Sequence, residues 1–177
     1  EKFALHIKKF INPNSRVDEY LDWYKNTTPK IAVFAGTFFP FHKGHLDILK
    51  RAERMFDKVI VLCCVNPGKN NDTYEVNKYI ETVLRKQLPN NQVEFYDDML
   101  HKYVKSKPYP LTVVKGLRNG SDFDSEKMQL RYMEDFYPEI NVVYIVSDRK
   151  YEHVSSSGVK MVQGFGEGDE AQRLYLP

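Results

Sequence analysis

The sequence has almost no cysteine: two residues in 177, the neighbours Cys63 and Cys64. A disulfide framework and a Cys₄ zinc site are thereby excluded within the chain, and a reducing compartment is implied. It also lacks an excess of either charge, with 26 Lys and Arg against 24 Asp and Glu and a net of +2. That balance excludes a polybasic nucleic-acid binder, whose affinity depends on neutralising many phosphates. No apolar run approaches the ~20 residues that cross a bilayer. Lys2, Lys8 and Lys9 break up the start, which does not read as a secretory leader. There is no internal repeat and no low-complexity tract. What remains is a soluble, cytoplasmic protein with neither a nucleic-acid nor a membrane partner. The 12 Tyr, 11 Phe and 42% hydrophobic content supply enough to bury a sizeable core in one domain.

Short β-rich apolar runs alternate with amphipathic stretches. Strands are predicted at Ile31–Ala35, Val59–Val65, Val93–Tyr96, Leu111–Val114 and Val142–Val146. Helices are predicted at Leu46–Phe56, Tyr74–Leu88, Asp98–Lys105 and Asp122–Tyr137, with a last short one starting near Ser156. In the first of these, Leu46, Leu49 and Ala52 form the stripe expected to face the core. Unbroken apolar strands separated by helices mark a parallel sheet covered on both faces. The expected fold is α/β, a Rossmann-like doubly wound sheet of five parallel strands. Residues 1–29 stand outside the pattern as an N-terminal extension, with one helix predicted near Val17–Tyr24, and 30–177 form the main domain. Gly164–Asp169 reads as a loop. Cys63 and Cys64 read as core.

The first strand runs into Gly36-Thr37-Phe38-Phe39-Pro40-Phe41-His42-Lys43-Gly44-His45 and then a helix. Open α/β sheets bind ligands beyond the carboxyl ends of their strands, which is where this segment lies. Gly36 permits a tight turn and a close backbone approach. Gly44 lets the helix N-terminus, with its free N–H groups and dipole, approach a phosphate. His42 and His45 share one helical face. Taken alone, an H-x-x-H pair is ordinary surface. A zinc reading lacks a third ligand and an H-E-x-x-H arrangement. A phosphate reading accounts for both histidines, Lys43, both glycines and the position after a strand, although the Walker loop and G-x-G-x-x-G are absent.

Three further stations fall at carboxyl strand ends: Asn66-Pro67-Gly68-Lys69, Lys115-Gly116-Leu117-Arg118 running on through Asp122-Phe123 to Glu126, and Ser155-Ser156-Ser157-Gly158-Val159-Lys160. Sheet geometry brings them to one rim. Taken singly, each is an ordinary turn or a helix cap.

The Gly-Thr-Phe-x-Pro-x-His-x-Gly-His run resembles the signature of the nucleotidyltransferase superfamily. With the later stations it is similar, over about residues 31–160, to the phosphopantetheine adenylyltransferase family. Against that family's pattern Phe39 replaces Asp, Lys115 replaces Arg, about thirty residues precede the domain, and the chain stops before the last helix. The resemblance implies adenylyl transfer from ATP to 4′-phosphopantetheine, with Mg²⁺ accompanying ATP and no protein-held metal, in a homo-oligomer that is typically a hexamer. It implies that His45, Lys69 and Arg118 are catalytic. Thr37, Lys69, Met99, Leu100 and Lys115 would bind the acceptor. Gly36, Thr37, Phe38, His42, His45, Gly116, Arg118, Glu126, Ser155, Ser156 and Ser157 would bind ATP. His6, His101 and His153 carry no motif.

Nicotinamide-mononucleotide adenylyltransferase shares the first motif, but its Ser-x-Thr-x-x-Arg is replaced here by Ser155 to Lys160. A cytidylyltransferase of the glycerol-phosphate type would need an Arg-Thr-x-Gly-Ile-Ser-Thr-Thr run, which is missing. A non-catalytic nucleotide-binding protein of the same fold is the remaining alternative.

Overall fold

The computed structural model describes residues 28–65 and 74–177. The helix expected near Val17–Tyr24, and the Asn66 to Lys69 station, lie outside the described residues. The strands are β1 (Ile31–Gly36), β2 (Lys58–Cys64), β3 (Gln92–Tyr96), β4 (Leu111–Leu117) and β5 (Asn141–Val146). Helices α1 (Lys43–Ala52), α2 (Tyr74–Gln87), α3 (Leu100–Ser106), α4 (Gly120–Phe136), α5 (Ser156–Gly164) and α6 (Gly168–Tyr175) fill the connections and the end. The sheet is parallel throughout, in the order β3-β2-β1-β4-β5. The expected Rossmann-like architecture is therefore what the chain forms.

Alternate strand residues explain why the sheet is buried on both faces. Ala32, Phe34, Val59, Val61 and Cys63 point to one side, where Ile48, Leu49 and Ala52 of α1 and Ile80 and Leu84 of α2 cover them. Val33, Ala35, Ile60 and Leu62 point to the other, under Tyr103 and Val104 of α3 and Met133 of α4. Cys63 is buried, and burial pushes its thiol up to about 12. Helix α3 is tied to the sheet edge by Glu94, which accepts hydrogen bonds from the Tyr103 hydroxyl at 2.9 Å and from Lys107 at 3.1 Å.

Several boundaries differ from expectation. Helix α1 starts at Lys43, three residues early, because His42 caps it. Its buried face is Ile48, Leu49 and Ala52, while Leu46 is only partly covered. Strand β4 continues through Lys115 and Gly116 to Leu117, because β5 pairs with it along that whole length. The Gly164–Asp169 loop shrinks to Phe165–Glu167, because α6 forms around the buried Ala171 with Asp169 and Glu170 in its first turn and Arg173 in its last. That charge order suits the helix dipole.

Candidate active site

The crossovers diverge at β1 and β4, so a crevice opens above their carboxyl ends. It is a cleft of about 770 Å³. Lining it are Gly36, Thr37, Phe38, His42 and His45 from the first motif, Lys115, Gly116 and Arg118 from β4 onward, Glu126 from α4, Ser155, Ser156 and Ser157 at α5, and Met99 and Leu100 at α3. All the expected site residues within the described part of the chain are thus brought together. Lys69 lies outside the described residues.

The turn after β1 is built around aromatic packing. Phe38 is buried with φ of 49°, a left-handed conformation uncommon for a bulky residue. Its ring folds over Gly36, where a Cβ would meet it at 2.8 Å. The bare position at Gly36 is therefore required by Phe38. Gly44 likewise makes room for the His42 ring, 3.1 Å from where a Cβ would stand. At Gly116 a Cβ would meet Ile48 of α1 at 3.0 Å, so this glycine lets the helix sit close to β4.

The two histidines cap α1 reciprocally. The His45 N–H donates to Nδ1 of His42, and the His42 N–H donates to Nδ1 of His45, each at 3.3 Å. Their rings stack with centroids 3.6 Å apart and planes 20° apart. Phe41 stacks on His45 as well, at 5.4 Å, and Phe38 meets it edge-on at 5.1 Å. A nitrogen that accepts a hydrogen bond carries no proton, so in both rings the proton sits on Nε2. Both imidazoles thus take the neutral form with the proton on Nε2. For His42 the electrostatics agree: burial, and then the nearby Arg118 guanidinium, hold its pKa at about 4 instead of the usual 6.5.

Arg118 is gripped by Asp122 through two side-chain bonds of 2.8 and 2.7 Å, and its backbone N–H reaches the same carboxylate at 3.0 Å. This presents the guanidinium at the rim with its position already set, and Asp122 stays ionised below its usual range because of it. Lys115 pairs with Glu126 at 3.2 Å. Ser155 is the N-cap of α5, accepting from the Gly158 N–H at 3.0 Å. Ser156 donates to the Pro40 carbonyl at 3.0 Å, tying α5 to the turn after β1.

Two cations counted with the motifs lie elsewhere. Lys43 donates to the Arg173 and Leu174 carbonyls at 2.8 and 3.0 Å, closing the C-terminal end of α6 instead of facing a phosphate. Lys160 sits over the Phe39 ring at 4.9 Å.

Several cleft residues were not picked out from the sequence. Ser147 follows β5 directly, so the rule of carboxyl strand ends could have found it. Gln129, Tyr132, Met133 and Phe136 also line the cleft. Their spacing of i, i+3, i+4 and i+7 is a helix face that was readable in the sequence. His101 had no local signal. Among the described residues, no group of three or more His, Cys, Asp or Glu could hold a metal ion.

Comparisons with known proteins show the family and the fold. A family model described as cytidylyltransferase-like matches residues 33–162. A phosphopantetheine adenylyltransferase of Clostridium botulinum is 37% identical over 139 residues, covering 77% of this chain and 84% of the relative. One of Caldanaerobacter subterraneus subsp. tengcongensis is 34% identical over 139 residues, covering 77% and 86%. Among solved structures, a protein described as a nicotinate-nucleotide adenylyltransferase of Vibrio parahaemolyticus matches with a TM-score of 0.58 at 19% identity, covering 84% of this chain and 87% of that one. A bifunctional NMN adenylyltransferase/ADP ribose pyrophosphatase of Francisella tularensis matches with a TM-score of 0.53 at 18% identity, covering 78% and 43%. At such identities the structural likeness establishes the fold.

Proposed function

The chain belongs to the phosphopantetheine adenylyltransferases of the cytidylyltransferase-like family, and from that membership we propose how its cleft joins ATP to 4′-phosphopantetheine. The products are dephospho-coenzyme A and pyrophosphate. An oxygen of the acceptor phosphate attacks the α-phosphorus of ATP, and the bond from that phosphorus to the β-phosphate oxygen breaks on the opposite side. A phosphate monoester is already a competent nucleophile near neutral pH, so neither a general base nor a covalent intermediate is needed. Catalysis then rests on alignment and on stabilising charge at the non-bridging α-oxygens.

The observation that carries the proposal is that one cleft gathers two kinds of group. His42, His45, Arg118 and the serines at the start of α5 suit the phosphates of a nucleotide, and Met99, Leu100 and the C-terminal half of α4 suit a largely apolar arm. We assign His45 Nε2–H to the α-phosphate, donating as the neutral ring. Arg118 holds the β- and γ-phosphates, and Ser155 to Ser157 with the N-terminus of α5 receive the leaving pyrophosphate. Lys115 and Thr37 hold the acceptor phosphate, with Glu126 shared between Lys115 and the rim. Lys69 is assigned to bridge the two reacting phosphates by resemblance alone. Magnesium belongs to the substrate in this reading, carried by the nucleotide's phosphates and water. The chemistry of the donor set supports that, since the cleft carboxylates Asp98, Asp122 and Glu126 are paired with Lys102, Arg118 and Lys115.

We also propose that the chain forms a homo-oligomer, whose contacts would cover the exposed Met128, Met161 and Phe165. A cytoplasmic setting is proposed with it. Among the described residues, no helix is long and apolar enough to cross a membrane.

The test is pyrophosphate release from ATP and Mg²⁺ with either 4′-phosphopantetheine or nicotinamide mononucleotide. Turnover with the first acceptor is expected. Turnover with the mononucleotide alone would replace the proposed acceptor. ATP binding with no turnover on either would make the chain a non-catalytic nucleotide binder.

A further inference from the structure

At the apolar end of the cleft one polar side chain has no role in the chemistry described. His101, the second residue of α3, is 6% exposed and lines the cleft. Its ring stacks on Phe136 at 5.0 Å with planes 12° apart. Its Nδ1 is buried and has no hydrogen-bond partner. The ionic group beside it does not serve it, because Asp98 is occupied by Lys102 at 2.9 Å and by the Met99 N–H at 2.7 Å. A buried polar nitrogen left unmatched is unfavourable, and native structures generally match such groups. The covering ring is free to give way, since Phe136 is the last residue of α4 and is 58% exposed.

Distance selects what could reach this nitrogen. Helix α3 begins after β3, which lies two strands from β1 in the sheet, or about 10 Å away at about 4.8 Å per strand. In an extended 4′-phosphopantetheine the second amide lies about nine bonds from phosphorus, roughly 11 Å at the advance per bond of an extended chain. The first amide falls well short.

We propose that His101 is a specificity-determining residue for the acceptor, its Nδ1 accepting a hydrogen bond from the N–H of the second amide of the pantetheine arm, a donor the carboxylate of a shorter arm lacks, as the Phe136 ring turns outward. This rests on the adenylyl-transfer reading above and deepens it. The apolar walls contributed by Met99, Leu100 and Met133 accept the methylenes of the arm. His101 then supplies the polar contact that separates an arm ending in an amide and thiol from a shorter one.

The test uses the full chain and two acceptors, 4′-phosphopantetheine and 4′-phosphopantothenate, which ends in a carboxylate in place of the second amide. His101→Leu fills the site without the nitrogen. It is expected to raise KM for 4′-phosphopantetheine about tenfold, the effect of one hydrogen bond lost at a buried group. Its kcat should stay within about twofold, and its KM for ATP and for 4′-phosphopantothenate should not move. His101→Asn places an amide group where Nδ1 stands and should recover most of the lost affinity. An unchanged KM in the Leu variant, an equal loss on both acceptors, or recovery by His101→Gln instead of Asn would overturn the assignment. Absence of turnover by the wild-type chain with 4′-phosphopantetheine would remove the reaction itself, and this inference with it.

Discussion

Replacing His42 by Asn should make the fold less sensitive to acid. In the folded chain His42 is 4% exposed. Burial, followed by the Arg118 charge, holds its pKa at about 4, against 6.5 for the ordinary group. Above pH 6.5 both the folded and the unfolded chain carry the neutral ring, and the stabilisation is complete. As pH falls from 6.5 towards 4 the unfolded chain binds a proton that the folded chain refuses, so stability drops. At pH 5 the loss amounts to about 2 kcal/mol for that shift. For a domain of this size, 1 kcal/mol moves the midpoint by about 2–4 °C, so the wild type should lose roughly 4–8 °C from this group alone. Asn keeps a side-chain acceptor for the His45 N–H and cannot be protonated in this range. Its lost ring packing lowers the midpoint by the same amount at every pH. Thermal melts of both proteins by circular dichroism at pH 7.5 and pH 5.0 isolate the effect, because other titrating groups cancel in the difference. The wild type should fall further than the variant by the stated amount. Midpoints that shift in parallel within about 1 °C would refute the buried, neutral His42 cap, and with it the argument for the tautomer of His45.

Three further outcomes are expected. His45→Ala removes the donor to the developing charge and should lower kcat by about 10²–10³-fold with the KM for ATP changed only a few-fold; kcat near the wild-type value would take His45 out of the mechanism. Gly44→Ala puts a Cβ 3.1 Å from the His42 ring, so the ring must give by a few tenths of an ångström and the reciprocal cap is loosened; we expect kcat to fall several-fold and the midpoint to drop by less than the full cost of a lost N-cap, and unchanged turnover would mean the cap does not set the catalytic geometry. Lys43→Ala should cost about 0.3–1 kcal/mol of stability, as for a cation removed from a helix C-terminus, with kcat within about twofold. A large fall in kcat would return Lys43 to the phosphates.

The order of strands and helices was legible because the inner strands are nearly continuous apolar runs and the crossovers amphipathic ones. The rim was legible in part for the same reason, since the first motif directly follows β1 and Lys115 to Arg118 close β4, whereas Ser155 to Ser157 reach it only after the turn at Arg149–Tyr151 that follows β5. The end of β4 was not, because Lys115 and Gly116 look like a turn and become strand only by pairing with Tyr144 and Ile145 of β5. Helix α6 was hidden by Gly164, Gly166 and Gly168, whose cost is met by burial of Ala171 and by Lys43 reaching the terminal carbonyls from 130 residues away.

By itself the sequence determined the fold class, the position of the cleft and the family, because these follow from local periodicity and from short motifs at strand ends. Only the tertiary structure decided what those residues do to one another. Gly36 is closed to a Cβ by the Phe38 ring, and Gly44 and Gly116 let His42 and Ile48 pack at 3.1 and 3.0 Å from where one would stand. His42 and His45 are neutral because each ring accepts the other's backbone N–H. Lys43 leaves the site for α6, while His101, without any motif, enters it. The physical reason is range: periodicity reports which face of an element is buried, whereas partners, protonation and unmatched polar atoms depend on groups that meet only when the chain is folded.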